Sequence, residues 1–148
     1  MKQTILIGSD HAGFELKNTI KNHLIEKGYD VEDFGADTFD PLDDFTKILA
    51  PLAYKISQNP ELKGIVFGGS GQGEAQVCNR YKGVRAAVYY GGSLDIVKLS
   101  REHNDANVLS IGARFVNSID IKTAVDLWLA TDFSGDEKYA RRNKELDN

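Results

Sequence analysis

Short, almost unbroken apolar runs alternate along this chain with longer segments in which apolar residues recur every three or four positions. The runs Thr4–Gly8, Tyr29–Phe34, Lys63–Phe67, Val84–Tyr90 and Asn107–Ile111 predict strands. Where apolar residues are continuous rather than alternating, both faces of the strand are expected to be covered. Between them, Phe14, Leu16, Ile20, Leu24 and Ile25 have helical spacing, stopped by Gly28. A second helical pattern runs through Phe45, Ile48, Leu49, Leu52, Ala53 and Ile56 and ends at Asn59-Pro60. Pro51 interrupts it, and an interior proline removes a hydrogen bond and clashes with the preceding turn. That helix is therefore expected to split or to start later. Further helices are predicted over Gly73–Tyr81, Leu94–Glu102, Ile119–Ala130 and, highly charged, from about Asp136 to Glu145.

Five strands, each followed by a helix, predict a three-layer α/β/α sandwich with a five-stranded parallel sheet, doubly wound and Rossmann-like. The 148 residues, without linker, repeat or low-complexity tract, are expected to form one domain, 1–148. A net charge of −4 argues against nucleic-acid and anionic-membrane surfaces as partners. The single cysteine, Cys78, permits no intrachain disulfide and fits a reducing compartment. The first apolar run is too short for a signal peptide or membrane span, so a cytoplasmic location is expected.

Candidate chemistry collects at the ends of the strands, where sheets of this kind bind ligands. Ser9-Asp10-His11 follows the first strand, Arg114 the fifth, and His103-Asn104 leads into the fifth. The third strand runs into Gly68-Gly69-Ser70-Gly71-Gln72-Gly73-Glu74, a turn that exposes backbone amides at a helix start. A dinucleotide loop requires a third glycine where Glu74 or Gln76 stands, and a Walker-type loop requires lysine after Gly73. A phospho-acceptor site requires aspartate at Gly68-Gly69. What remains is a carboxylate beside a hydroxyl and a row of amides. Proton abstraction next to a carbonyl uses those parts. Glu74 is equally a favourable residue for a first helical turn. That position also stabilises the ionised carboxylate and weakens it as a base, so burial would have to compensate.

Four motifs in order, Gly8-Ser9-Asp10-His11-Ala12-Gly13, Gly68 to Glu74, Ser100 to Asn107 and Ile111-Gly112-Ala113-Arg114, resemble the ribose-5-phosphate isomerase B and galactose-6-phosphate isomerase family over nearly the whole chain. The resemblance implies an aldose–ketose isomerisation through a cis-enediol, without metal or cofactor. Some members of that family use a cysteine at the end of the third strand as base, and others have glycine there and use the glutamate. With Gly68 and Glu74 this chain is similar to the glutamate sort, and Cys78 reads as a core residue.

Carried over by motif, Glu74 is the expected base. Ser70 and the amides of Gly69, Gly71, Gln72 and Gly73 are expected around the enediolate, His103 as the ring-opening acid and Asn104 as a sugar contact. Asp10 and His11 match sugar and phosphate contacts, although Asp10 could also cap the first helix. A histidine such as His103 is also favoured at a helix C-terminus when protonated. Arg114 matches a phosphate ligand, as do Lys138 and Arg142, which lie four apart on one helical face. That helix could instead be a solvated basic C-terminus. Lys138 replaces the family's usual arginine and lacks its bidentate fork. Phe45-Thr46 stands where the family often has Tyr-Pro. His23 matches no motif and reads as surface. The expected substrate is ribose 5-phosphate, with allose, galactose or tetrose phosphates as alternatives, in a homodimer or homotetramer with sites shared between subunits. A non-catalytic sugar-phosphate-binding subunit is the competing class.

Overall fold

The structure is a computed structural model describing residues 2–148. The apolar runs form β1 (Thr4–Ser9), β2 (Asp30–Asp33), β3 (Lys63–Gly68), β4 (Ala86–Tyr89) and β5 (Val108–Gly112). All pair in parallel, in the order β2-β1-β3-β5-β4. The helices are α1 (Phe14–Glu26), α2 (Phe45–Gln58), α3 (Gln72–Cys78), α4 (Asp95–Glu102), α5 (Ser118–Ala130) and α6 (Glu137–Glu145). This is the expected α/β sandwich of Rossmann-like type.

Strand pleating divides the core into two layers. Ile5, Ile7, Ile65, Phe67, Leu109 and Ile111 pack with α1, α4 and α5, around a fully buried Trp128. Leu6, Val66 and Val108 face the opposite way, onto Leu49, Leu52 and Ile56 of α2 and Cys78 of α3. The three inner strands are thus covered on both sides, and this is why their sequences are apolar throughout. Among the described residues, no helix is long and apolar enough to cross a membrane.

From β1 the chain goes through α1 to β2 on one side, then returns through α2 to β3 on the other. A crevice therefore opens between the carboxyl ends of β1 and β3, the geometry that places ligands in sheets of this kind.

Two expectations are corrected. α2 is one continuous helix with Pro51 inside it. Pro51 lies on the exposed face, so the carbonyl it leaves unbonded can turn to water. His23 is not a free surface residue: its side chain is 12% exposed, and its Nε2 lies 2.7 Å from Asp126 Oδ1, joining α1 to α5.

Lys17, on α1, is a buried cation that tethers the loop beside the crevice. Its Nζ donates to Asp33 Oδ1 at 3.0 Å, to Asp33 Oδ2 at 3.2 Å and to the Ala36 carbonyl at 2.7 Å. Burial alone would raise the Asp33 pKa, but the Gly35 amide together with Lys17 and Lys21 holds it below its ordinary value. Stability from this pair is present above the unfolded aspartate pKa and is lost as pH falls through the lowered folded value. Replacing Lys17 with methionine should cost about 3 kcal/mol in urea unfolding, because Asp33 and a carbonyl lose a buried donor. A loss below about 1 kcal/mol would show the pair to be worth no more than a surface bridge.

Candidate active site

The turn that opens the site is shaped by Gly71. It sits at φ 78, in the left-handed region open to glycine, and ends the turn as the N-cap of α3. Gln72, exposed, opens the helix, and its amide donates to Ser70 Oγ at 3.3 Å. Glu74 follows in the first helical turn, yet it is only 4% exposed. Its carboxylate fills the space beside Gly68, so that any β-carbon at 68 would overlap it. Gly73 carries the ring of Phe45 against its α-carbon, closing one wall with an apolar edge where a phenol would have offered a hydroxyl.

Burial raises the Glu74 pKa above its ordinary value, the amides of Glu74 itself and of Gly71 pull it down, and the charge of Asp10 pushes it up again. Desolvation wins over the helix start. This resolves the tension between a helix N-terminus and a useful base. The same amides also have other work. Of the row expected to face a reacting oxygen, Gly71's favours the Glu74 carboxylate and Gln72's is held by Ser70.

Across the crevice, Asp10 is 7% exposed and caps the 3₁₀ turn His11–Gly13 by accepting from the Ala12 amide at 3.0 Å. It caps this turn rather than α1 itself. His11 carries a partner that sequence reasoning missed, Asp43. Asp43 Oδ1 lies 2.8 Å from His11 Nδ1 and accepts from the His11 amide at 3.1 Å. The His11 pKa is raised, chiefly by this hydrogen bond; burial and Arg114 oppose it, and Asp10 adds to it. Arg114 follows β5, donates its amide to the Gly69 carbonyl at 3.1 Å and lies with its guanidinium against Gly69. Among the described residues its guanidinium has no hydrogen-bond or ion-pair partner. Glu74, Ser70, Gly69, Gly71, Gln72, Gly73, Asp10, His11 and Arg114 thus share the carboxyl-end crevice.

Among the described residues, Asp10, His11 and Asp43 bring one oxygen or nitrogen atom each within 4.8 Å of one another, a grouping held by hydrogen bonds. The hydrogen bonds just described already engage Asp43 Oδ1 and His11 Nδ1. Cys78 is fully buried and its thiol is pushed up to about 12 by burial and by Glu74, so it is no nucleophile.

The remaining candidates sit elsewhere. His103 caps the C-terminus of α4 and, with Asn104, leads to the start of β5, whereas the crevice lies at that strand's end. Five residues of strand, about 16 Å, separate the two. His103 stacks on Tyr139 of α6 with centroids 4.2 Å apart. Asn143, a buried residue with no motif to announce it, donates to the His103 carbonyl at 2.9 Å and accepts from Asn104 Nδ2 at 3.2 Å. Lys138 and Arg142 are exposed on α6, while the intervening Arg141 pairs with Glu137 and Glu145. The expected acid, His103, and two of the four expected phosphate ligands, Lys138 and Arg142, therefore lie apart from Glu74 within one chain.

A cleft of about 580 Å³ lies on the β4–β5 side and is lined by Arg114 but not by Glu74. A smaller one, about 210 Å³, is lined by Ser70, Gln72 and the exposed aromatics Tyr90 and Phe115.

The sequence profile of the Ribose/Galactose Isomerase family matches residues 5–146. Ribose-5-phosphate isomerase B of Mycolicibacterium paratuberculosis is 37% identical over 138 residues, 93% of this chain and 86% of that protein. The Escherichia coli K12 protein of the same name is 34% identical, over 93% of this chain and 90% of its own length. Among solved structures, ribose-5-phosphate isomerase B from Mycoplasma genitalium with bound ribulose-5-phosphate superposes with a TM-score of 0.92 at 35% identity, covering 99% of this chain and 95% of that one. The Thermotoga maritima ribose 5-phosphate isomerase gives 0.91 at 35% identity, covering 99% of each chain.

Proposed function

This chain belongs to the ribose/galactose isomerase family of sugar-phosphate isomerases, and we propose that it interconverts ribose 5-phosphate and ribulose 5-phosphate with Glu74 as the base. The observation that carries the assignment is a buried carboxylate of raised pKa at the β1–β3 crevice, near Asp10, where His11 and Arg114 also lie, the arginine without a side-chain partner among the described residues. In the open-chain aldose, Glu74 removes the proton from C2, and the C1 carbonyl electrons move to O1, giving the cis-enediolate. Glu74 returns the proton to C1 while the O2 hydroxyl proton passes to O1, so that O2 becomes the ketose carbonyl and O1 the C1 hydroxyl. Ser70 and the uncommitted amides of the turn would steady the oxygen charge. Asp10 orients the sugar hydroxyls, and His11 and Arg114 take the phosphate. The reaction as written needs no redox partner. That a homologue has been solved with ribulose-5-phosphate supports this sugar.

His103, Asn104, Lys138 and Arg142 would reach this site from another copy of the chain. Ile96 and Leu99 form an exposed apolar stripe on α4 that ends at His103, and Tyr90 and Phe115 stand exposed beside Ser70. Burying such surfaces against each other is favourable at about 25 cal/mol per Å². It would bring the second copy's His103 to the sugar ring oxygen, Asn104 to a hydroxyl, and Lys138 and Arg142 to the phosphate.

Wild-type protein incubated with ribose 5-phosphate should form the ketose. Absence of turnover across five- and six-carbon aldose phosphates, despite binding, would turn the reading toward a binding subunit. Mixing Glu74→Gln with His103→Ala, each strongly impaired alone, should restore part of the activity once subunits exchange, because some hybrid sites combine both intact residues. No recovery after verified exchange would place His103 and Glu74 outside a shared site.

A further inference from the structure

The strongest feature left unassigned is the contact between Asp43 and His11. Asp43 lies just before α2, and its Oδ1 takes both the ring Nδ1 and the amide of His11. Its Oδ2 is buried without a partner. Among the described residues, then, the Asp43 charge is answered by His11 alone. Phe39 packs edge-on against the ring, with centroids 6.2 Å apart.

An ionised carboxylate only accepts hydrogen bonds, so the contact requires the proton on Nδ1. In neutral His11 that leaves Nε2 as a lone pair, which repels an anion. In the imidazolium Nε2 carries a proton and attracts one. The charged groups facing the ring are Asp43, Asp10 and Arg114. Asp43 and Asp10 offset the cost of placing a second positive charge beside Arg114.

We propose that Asp43 is a positioning residue for substrate binding: it fixes the His11 ring by Nδ1, so that the ring donates Nε2–H to the substrate's phosphate only as the imidazolium. This rests on the phosphosugar reading of the site. Substrate affinity then depends on one proton at His11, and raising the pH releases the anionic end of the sugar. The raised His11 pKa keeps that transition above the range of an ordinary histidine. Without Asp43 the neutral ring could adopt the other tautomer and donate from Nε2, so the pH dependence would flatten as well as move.

The test uses full-length protein and inorganic sulfate, whose charge does not change between about pH 5 and about pH 9, the span in which histidine titrates. His11 is followed by ¹⁵N-detected NMR, which reports tautomer and protonation together. In the wild type, sulfate affinity should fall as His11 loses its proton, with Nδ1 protonated throughout. In Asp43→Asn the His11 midpoint should move to lower pH, and sulfate affinity near neutral pH should drop by up to about tenfold, the value of a charge-assisted hydrogen bond. Asp43→Glu should recover much of both. Unchanged His23 resonances, in the contact with Asp126, certify that the variants are folded. A sulfate profile unaffected by Asp43→Asn in folded protein would overturn the proposal. If the wild type isomerises no phosphosugar while sulfate binding follows this pattern, the functional reading fails and the role of Asp43 stands. Normal turnover with a flat sulfate profile would do the opposite, keeping the isomerase and removing the role of Asp43.

Discussion

Replacing Glu74 by glutamine should lower kcat for phosphosugar isomerisation by about 10²–10⁴-fold, the span associated with losing a general base. Glutamine keeps the size of the side chain and its fit beside Gly68, so the effect isolates the proton acceptor. Substrate affinity should change little, because the proposed phosphate contacts, His11 and Arg114, are left in place. Stability should respond in the opposite sense. Since burial raises the Glu74 pKa, the folded state holds this proton to higher pH than the unfolded state does. The associated stability is present below the unfolded glutamate pKa and is lost as pH rises through the folded value. At neutral pH the wild type therefore carries a buried charge that the amide variant lacks. Glu74→Gln should melt at the same temperature or higher, a trade of stability for activity. For the wild type, activity should fall on acidification through the raised Glu74 pKa, above the range of an ordinary carboxylate. An unchanged rate in Glu74→Gln, or an acid limb no higher than that of a free glutamate, would remove Glu74 from the reaction.

How much of this was legible before the structure depends on sequence separation. The strands could be read because both faces of Ile5 to Ile7, Ile65 to Phe67 and Val108 to Ile111 are covered, which leaves unbroken apolar runs. The crevice residues could be read because parallel sheets collect them after the strands, and Asp10, Glu74 and Arg114 follow β1, β3 and β5. What could not be read depended on partners far along the chain. Lys17 looks like any polar helix residue until Asp33 and the Ala36 carbonyl close over it. His23 looks solvent-facing until α5 brings Asp126 against it. Asp43 sits in a run of polar loop residues, 32 positions from His11. Pro51 argued against a continuous helix because its exposure could not be seen. Each of these is a pairing of polar groups across elements or a matter of which face a residue takes, and hydrophobic periodicity carries little record of either.

Gly68→Ala should reduce activity about as severely as Glu74→Gln, by displacement instead of by loss of charge. The added β-carbon would occupy the space now filled by the Glu74 carboxylate. Of the two groups, the carboxylate is the flexible end of a side chain and position 68 is strand backbone paired to β5, so the carboxylate gives way. Gly68 is not in the left-handed region, and alanine suits its backbone. The variant should therefore fold with stability within about 1 kcal/mol of the wild type. Its kcat should nevertheless fall by about 10²-fold or more, since misplacement by about 1 Å is enough for such a loss. Glu74, freed from burial, should titrate nearer its ordinary range, moving the acid limb of the rate profile downward. Adding Glu74→Gln to Gly68→Ala should cost little more, as expected when two changes act on one group. Full activity in Gly68→Ala would mean that the buried position of the carboxylate is not the working one. The same overlap gives a physical reason why, in the family this chain resembles, a catalytic side chain at the end of the third strand and a glutamate at the helix start are alternatives. Both would need the volume beside position 68, and here glycine yields it to Glu74.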